Sequence, residues 1–365
     1  MPVTRQLGVV MDPIDAIKPQ KDSTLALLLE AQRRGYRLHY MEPRHLFLDG
    51  AEPAALTRPL TVRDDPDAWF SFNNDSDGCA GGRRGAGAPV QGVGRLDGGR
   101  QASRDGFTAS LNGSPRPPAF TSATVTPLTD LDVILMRQDP PVDATYLHAT
   151  HVLEAAERQG VVVVNRPGAV RDAHEKLFAL HWPHLCPPTR VAADPGALRD
   201  FIRTEGKAVL KPLDAMGGAS IFVVEDGDPN TTVILETLTD HGRRHALAQR
   251  YLPEIAAGDK RILVFDGEPY PHTLARIPAG GETRGNLAAG GRGELAGLTD
   301  ADRKICAELA PALRERGLLF TGLDVIGGFL TEVNVTSPTC IREIDALSGT
   351  NASAALFDAI ERRAA

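Results

Sequence analysis

No run of the chain approaches the roughly 18 apolar residues that a membrane helix requires. The opening MPVTRQLGVVMDP has neither the basic segment nor the apolar core of an export signal. These absences predict a cytoplasmic, soluble protein with no membrane partner. Cysteine is scarce: Cys79, Cys186, Cys306 and Cys340 lie far apart, without CxxC spacing or the density of a disulfide scaffold, so reduced thiols are expected. Without export, the NxS/T sites at Asn112, Asn334 and Asn351 carry no glycosylation meaning. A basic surplus is also missing, since the net charge is -7, and nucleic acid is therefore an unsuitable partner. The chain holds no GxSxG elbow, no HExxH, no GxxxxGKS/T loop, and no GxGxxG opening a helix after a strand. The pairs His241/His245 and His181/His184 lack an acidic partner and read as ordinary histidines; Cys340 reads as a packed small residue.

What remains is a chain of 365 residues, 42% hydrophobic, long enough for two or three packed units. LGVVM (7–11) reads as a strand, followed by a loop and a helix capped by Asp22 or Ser23 and ending at Gly35. LDVILM (131–136), a helix over 144–160 and VVVVN (161–165) repeat the cycle. Strands alternating with helices predict an α/β unit whose parallel sheet carries ligand loops at its strand ends, where Asp12 and Arg137–Pro141 fall. From residue 174 hairpins take over, as in KAVLKPL, ASIFVVE, RHALAQRYL and DKRILVFDGEPY with its turn at Asp266-Gly267, so an α+β unit with antiparallel sheets follows. A long helix ending at Gly317 precedes the last hairpin.

Two stretches are rich in glycine and arginine. Residues 73–120 hold eleven glycines and six arginines but no lysine or glutamate, and predict a disordered surface insertion or sequence read out of frame. ARIPAGGETRGNLAAGGRGE (275–294) has a similar composition but a different place, directly before the last hairpin.

That hairpin, LDVIGGFLTEVNV (323–335), is apolar except for Asp324, Glu332 and Asn334. A three-residue loop Gly327–Phe329 would pair Ile326 with Leu330 and Asp324 with Glu332, leaving Asn334 on the same face. Two carboxylates and an amide oxygen suit a hard cation such as Mg²⁺, with phosphate oxygens completing its shell. LKPLDAMGGASIF (210–222) sets Lys211 at a strand end before a turn containing Gly217 and Gly218, whose backbone N–H groups can face phosphates. Together the two segments describe a nucleotide held between two sheets.

GVVMDP, LLEAQRRGY, LDVILMRQDPP, LKPLDAMGGASIF, ETRGNLAAGGRGE and NVTSPTCIREI resemble, in this order and nearly end to end, the bacterial glutathione synthetases, which are ATP-grasp ligases. The resemblance leaves out residues 73–120, and Ala215 stands where the family commonly has glycine. It implies an N-terminal α/β substrate domain (1–173) and two ATP-grasp subdomains (174–248 and 249–365). The implied reaction joins γ-glutamylcysteine and glycine through an acyl phosphate at the expense of ATP, with Mg²⁺ or Mn²⁺. Asp324, Glu332 and Asn334 are implied as metal ligands. Lys176, Lys211, Gly217, Gly218, Gln249, Arg250, Tyr251, Leu252 and Asp259 are implied at ATP, and Arg276, Arg284 and Arg292 as catalytic cations. Arg137, Ser337, Thr339 and Arg342 fall to the peptide substrate. A homo-oligomer, a tetramer in the family, is implied as well. The alternatives are a related ligase with another acceptor amine and an ATP-binding scaffold without turnover. Residues 275–294 then read as a lid that shields the acyl phosphate from water.

Overall fold

The computed structural model describes residues 5–73, 123–287 and 290–364. The predicted insertion falls, from residue 74 onward, outside the described residues.

The first sheet comprises β1 (Gln6–Val10), β2 (Arg37–Met41), β3 (Leu46–Asp49), β4 (Glu52–Val62), β5 (Phe70–Phe72), β6 (Thr124–Pro127), β7 (Val133–Met136) and β8 (Val162–Val164). Its order is β3-β4-β2-β1-β7-β8, with β5 and β6 also paired to β4. The predicted parallel cycle is present: β1 runs parallel to β2 and β7, and β7 to β8. Val9, Val10 and all of β7 are buried, as strands covered on both faces must be, and their continuous apolar runs follow from that. Helix α1 (Ser23–Arg33) and helix α2 (Ala144–Arg158) make the crossovers, and α3 (Pro167–Asp172) follows β8. Asp22 caps α1, its Oδ1 accepting from Leu25 N at 2.6 Å. Asp12 and Arg137–Pro141 do lie just past β1 and β7.

After α4 (Glu175–Phe178), a second sheet is built from β9 (Thr189–Ala192), β10 (Lys207–Pro212), β11 (Phe222–Glu225) and β12 (Ala246–Arg250), with α5 (Pro195–Glu205) and α6 (Thr231–Thr239) on it. All its pairings are antiparallel, in the order β11-β10-β12-β9. Leu198, Phe201, Leu210, Val224, Leu235 and Leu238 give this unit a core of its own.

The third sheet holds β13 (Asp259–Phe265), β14 (Glu268–Pro269), β15 (His272–Ile277), β16 (Arg292–Gly297), β17 (Phe320–Ile326) and β18 (Phe329–Asn334), ordered β16-β15-β13-β17-β18 with β14 on β13. Helix α7 (Asp300–Arg316) starts in a capping box between Thr299 and Asp302 and ends at Gly317, φ +70°. Helices α8 (Ile341–Ser348) and α9 (Ala352–Ala364) close the chain. The glycine-rich stretch 275–294 is therefore not loop throughout, because its two ends pair as β15 and β16.

The third sheet shares its apolar cores with the first. Leu25 and Leu28 of α1 belong to one cluster with Phe265, Ile341, Phe357 and Ile360, and Ile134 and Tyr146 to another with Ile262, Leu323 and Leu330. Buried Asn165 stitches the same boundary: its Nδ2 donates to the carbonyls of Phe320 (2.6 Å) and Val335 (2.7 Å), and its Oδ1 accepts from Phe320 N (2.8 Å).

Polar contacts hold α9 to α1. Glu30 is only 4% exposed and accepts from Arg33 and Arg34 at 2.7 Å and from Asn351 at 3.2 Å. Arg34 continues to Asp358 at 2.7 Å and Glu361 at 2.8 Å. The Arg33 hydrogen bond, with help from Arg34 and Asn351 and against burial, holds the Glu30 carboxyl down from 4.5 to about 2. A depressed carboxylate stabilises the fold above its unfolded value, and that stabilisation is lost as pH falls from about 4.5 toward 2. Glu30→Gln is thus expected to cost about 2 kcal/mol at pH 7. The gap from the wild type should close as pH approaches 2, as measured by urea unfolding; a gap independent of pH would remove the carboxylate as its source.

Candidate active site

The site is built on the β17–β18 hairpin. Asp324 faces Glu332 and Gly322 faces Asn334, as the sequence suggested, but the route differs. The turn is the two residues Gly327 (φ +57°) and Gly328 (φ +83°), a conformation suited to glycine, and Ile326 pairs with Phe329 rather than Leu330. A bulge beyond Asp324 then restores the Asp324–Glu332 pair, and Thr331 Oγ1 in it donates to Asp324 O at 3.1 Å.

The register places Arg261 of β13 opposite Asp324 and Arg276 of β15 opposite Asp259. Arg261 donates to Asp324 through Nε (2.6 Å) and Nη2 (3.2 Å); Arg276 Nη2 lies 2.5 Å from Asp259 Oδ2 and 3.0 Å from Asp324 Oδ2. All four groups are buried. Burial pushes the Asp324 carboxyl up, but Arg261 and Arg276 outweigh it and hold it well below the carboxylate range. For Asp259 burial wins over Arg276, and its carboxyl is raised. Arg261 was missed in the sequence, although an arginine inside the apolar run RILVF is itself a signal.

Lys176 and Lys211, buried on α4 and β10, each lie 3.9 Å from Glu332 Oε1. Lys176 also donates to Ala215 O at 2.8 Å and Leu213 O at 3.2 Å, which ties it to the base of the glycine turn. Lys211 donates to Gln249 Oε1 at 3.3 Å, and Gln249 to Thr189 Oγ1 at 3.0 Å. Glu175 Oε1 accepts from Val335 N, Thr336 N and Thr336 Oγ1, fixing the chain just beyond Asn334 next to Lys176.

A slot opens between the second and third sheets. Val209, Ile221 and Val223 wall one side, and Leu252, Ile255 and Ile326 supply further apolar surface. Gln249, Arg250, Tyr251, Asp259, Gly217 and Gly218 also line it, as do both lysines, Asp324 and Glu332. Arg284 lines it as well, its Nη1 donating to Gly218 O at 3.0 Å, so the two glycine-bearing loops touch across the mouth. A second cavity, about 820 Å³, adjoins the slot: Lys176, Asp324 and Glu332 line both. Arg276, Asn334, Arg137, Ser337 and Thr339 line the second alone. Two predicted residues stand outside both linings. Arg292 is exposed on β16 and pairs with Glu294, and Arg342 pairs with Asp64 at 2.5 Å.

Gly285 shows how closely the loop over 278–287 is fitted. A Cβ there would collide with the Arg276 carbonyl oxygen and come within 3.0 Å of Asp259 Cβ. Gly285→Ala is therefore expected to displace the loop from Arg276 and lower turnover by roughly 10–100-fold. Steady-state kinetics beside a melting curve would check this; unchanged kcat would show that the loop's position is not needed.

Among the described residues no cluster of three His, Cys, Asp or Glu side chains is placed to hold a metal. The candidate set is instead two carboxylates and an amide. Asn334 Nδ2 donates to Gly322 O at 3.1 Å, which leaves its oxygen for a ligand. These hard oxygen donors fit a Mg²⁺-like cation. The described cysteines are free and buried, and burial pushes the thiols of Cys186 and Cys306 up to about 11 and about 12 and raises Cys340, so none is a ready nucleophile.

Two antiparallel sheets closing on a slot with paired lysines and a carboxylate hairpin define an ATP-grasp ligase. Solved structures agree at the level of fold: a D-cycloserine synthetase aligns with a TM-score of 0.60 at 14% identity, covering 99% of this chain and 100% of that one. The D-alanine–D-alanine ligase of Bacillus anthracis aligns at 0.52 and 13%, covering 99% and 97%. The chain belongs to the prokaryotic glutathione synthetase family: the model of that family's ATP-grasp domain matches residues 175–349, and that of its N-terminal domain matches 6–80 and 103–171. Curated glutathione synthetases of Escherichia coli O127:H6 and Pseudomonas syringae pv. tomato are 49% and 50% identical over 358 residues, covering 98% of this chain and 98% and 97% of theirs. Residues 81–102, inside the predicted insertion, are left between the two matched pieces.

Proposed function

We propose that the chain is a glutathione synthetase that joins γ-glutamylcysteine to glycine with cleavage of ATP to ADP and phosphate. The observation that carries this reading is the identity of about half the residues, over nearly the whole length, with curated glutathione synthetases. The geometry supports it, because a slot with apolar walls for a purine meets, at its cationic end, a second cavity large enough for a dipeptide.

In this reading the cysteinyl carboxylate attacks the γ-phosphorus of ATP, ADP leaves, and an acyl phosphate forms. The glycine amine then attacks the acyl carbon, phosphate departs, and the nitrogen gives up one proton and keeps one as the amide N–H. Lys176, Lys211 and the N–H groups at Gly217 and Gly218 hold phosphates, and Gln249–Leu252 with Asp259 border the nucleotide. Arg276, at the shared end, neutralises charge on the phosphoryl group in transit, with Arg284 as a further cation at the mouth. Arg137, Ser337 and Thr339 face the peptide. Asp324, Glu332 and Asn334 would hold Mg²⁺ or Mn²⁺, which when bound neutralises phosphate charge. We place the substrate domain at 1–173 and the ATP-grasp subdomains at 174–248 and 249–365, in a cytoplasmic homo-oligomer.

The purified protein should release phosphate and form glutathione only when γ-glutamylcysteine, glycine and MgATP are all present; release that ignores glycine would sink the reading. Substituting other small amines for glycine tests the acceptor. Residues 279–291 act in this scheme as a cover that keeps water from the acyl phosphate. Their replacement by a short glycine linker should raise ATP hydrolysis relative to ligation, and an unchanged ratio would count against a cover.

A further inference from the structure

The second cavity has two chemically different ends. One is the shared end with Lys176, Arg276, Asp324 and Glu332, where a substrate carboxylate must lie to reach a phosphoryl group. The other is formed where the parallel strands of the first sheet stop, and Asp12, Arg137 and Asp139 line it. A γ-glutamyl dipeptide whose cysteinyl carboxylate sits at the first end extends roughly 10 Å along the cavity in the direction of the second.

Arg137 is held rigidly at that second end. It is 5% exposed; Nε donates to Thr24 Oγ1 at 3.1 Å, Nη2 donates to Pro338 O at 2.8 Å, and Nη1 is a buried donor with no partner. Burial lowers its pKa against the opposing charges of Asp22 and Asp139, yet a guanidinium stays charged, and the open N–H still lacks an acceptor that a substrate anion can supply. Asp12 and Asp139 lie side by side, Asp12 Oδ2 accepting from Asp139 N at 2.9 Å. Among the described residues neither carboxylate has a cation within ion-pair distance, and burial together with the Asp139 charge raises the Asp12 carboxyl. Lys18 and Lys21 stand exposed on the same rim and pair with neither. Two adjacent carboxylates without an ion-pair partner among the described residues, near a buried guanidinium with an unused donor, are complementary to a group that carries both charges on one carbon.

We propose that Asp12 and Asp139 bind the α-ammonium of the γ-glutamyl head while Arg137 Nη1 takes its α-carboxylate, so that this end selects acyl donors with a free amino-acid head. This rests on the ligase reading above, which assigns the cavity to the dipeptide. Asp12 and Asp139 are specificity residues in this scheme, remote from the reacting atoms.

The probes are γ-glutamylcysteine and its deamino counterpart, 4-carboxybutanoyl-cysteine, bound calorimetrically to the full chain with a non-hydrolysable ATP analogue and Mg²⁺. The wild type should bind the deamino compound at least 30-fold more weakly. In Asp12→Asn the preference should collapse to a few-fold, because γ-glutamylcysteine is weakened about 10-fold or more and the deamino compound is not. Asp139→Asn, whose side chain accepts no hydrogen bond among the described residues, repeats the test should the first variant fold poorly. In turnover, KM for γ-glutamylcysteine should rise with kcat within about 3-fold. Equal weakening of both compounds, or no preference in the wild type, overturns the proposal. Absent turnover with an intact binding preference would overturn the ligase reading alone.

Discussion

Arg276→Met should lower the ligase kcat by about 10³-fold, the largest single effect expected from any side chain of the site. The guanidinium lies on a cavity wall at the junction with the slot between the second and third sheets, 3.0 Å from Asp324 Oδ2, and catalysis of phosphoryl transfer is chiefly charge stabilisation and positioning. The variant has a second consequence that must be separated from the first. Arg276 is the buried partner of Asp259, and removing one member of a buried ion pair costs about 3–5 kcal/mol because the other charge is stranded. Low activity in Arg276→Met could therefore come from a damaged fold. The double variant Asp259→Asn/Arg276→Met removes both charges and leaves Asp324 with Arg261, so most of the lost stability should return. Activity should stay low. If activity recovers together with the melting temperature, Arg276 is a structural cation and the phosphoryl role falls.

Much of the fold was legible where local pattern and tertiary environment agree. LGVVM and LDVILM read as buried parallel strands because both faces of β1 and β7 are covered, so no alternation disguises them. The same rule left β4 unread: Pro53 and Pro59 interrupt it, yet both are accommodated in antiparallel ladders, Pro53 opposite Leu48 and Pro59 opposite His39. RGELAG also hid its strand, since β16 lies at the edge of its sheet and little of it is buried, and so Arg292 was taken for part of a loop over the site. In the β17–β18 hairpin two errors cancelled. A three-residue loop and a two-residue turn followed by a one-residue bulge bring the same carboxylates together, and only the apolar pairs between them reveal which occurs. What the sequence could not disclose were contacts set by long-range packing. Arg261 reaches Asp324 across 63 positions, Asn165 reaches Val335 across 170, and Arg137 reaches Pro338 across 201. No local spacing encodes these: the first exists only once β13 has paired with β17 inside the third sheet, and the other two only once the third sheet has packed on the first.

Glu332→Gln is expected to lower turnover with MgATP by about 10²–10³-fold while leaving the fold intact, and the contrast with Asp324 makes it the sharper test of the cation site. Both Asp324 oxygens are engaged by buried arginines, so Asp324→Asn leaves Arg261 and Arg276 partly unpaired and confounds stability with chemistry. Glu332 accepts no hydrogen bond among the described residues; its neighbours are the two lysine ammonium groups at 3.9 Å, a separation at which the pairs are loose. Glutamine keeps the shape and removes only the charge. The lysines then lose the one carboxylate within 4.0 Å of each among the described residues and are free to attract phosphate. ATP without metal should consequently bind Glu332→Gln at least as tightly as the wild type, whereas the dependence of kcat on Mg²⁺ should shift to higher concentration by about 10–100-fold. Calorimetry of ATP binding in the presence of a chelator, set beside a Mg²⁺ titration of ligase activity, reads the two effects separately. Weaker metal-free ATP binding would mean that Glu332 serves the nucleotide pocket through its shape or its lysine contacts. An unshifted Mg²⁺ dependence would mean that the cation is held by other groups, and the carboxylate face of the hairpin would lose its assigned role.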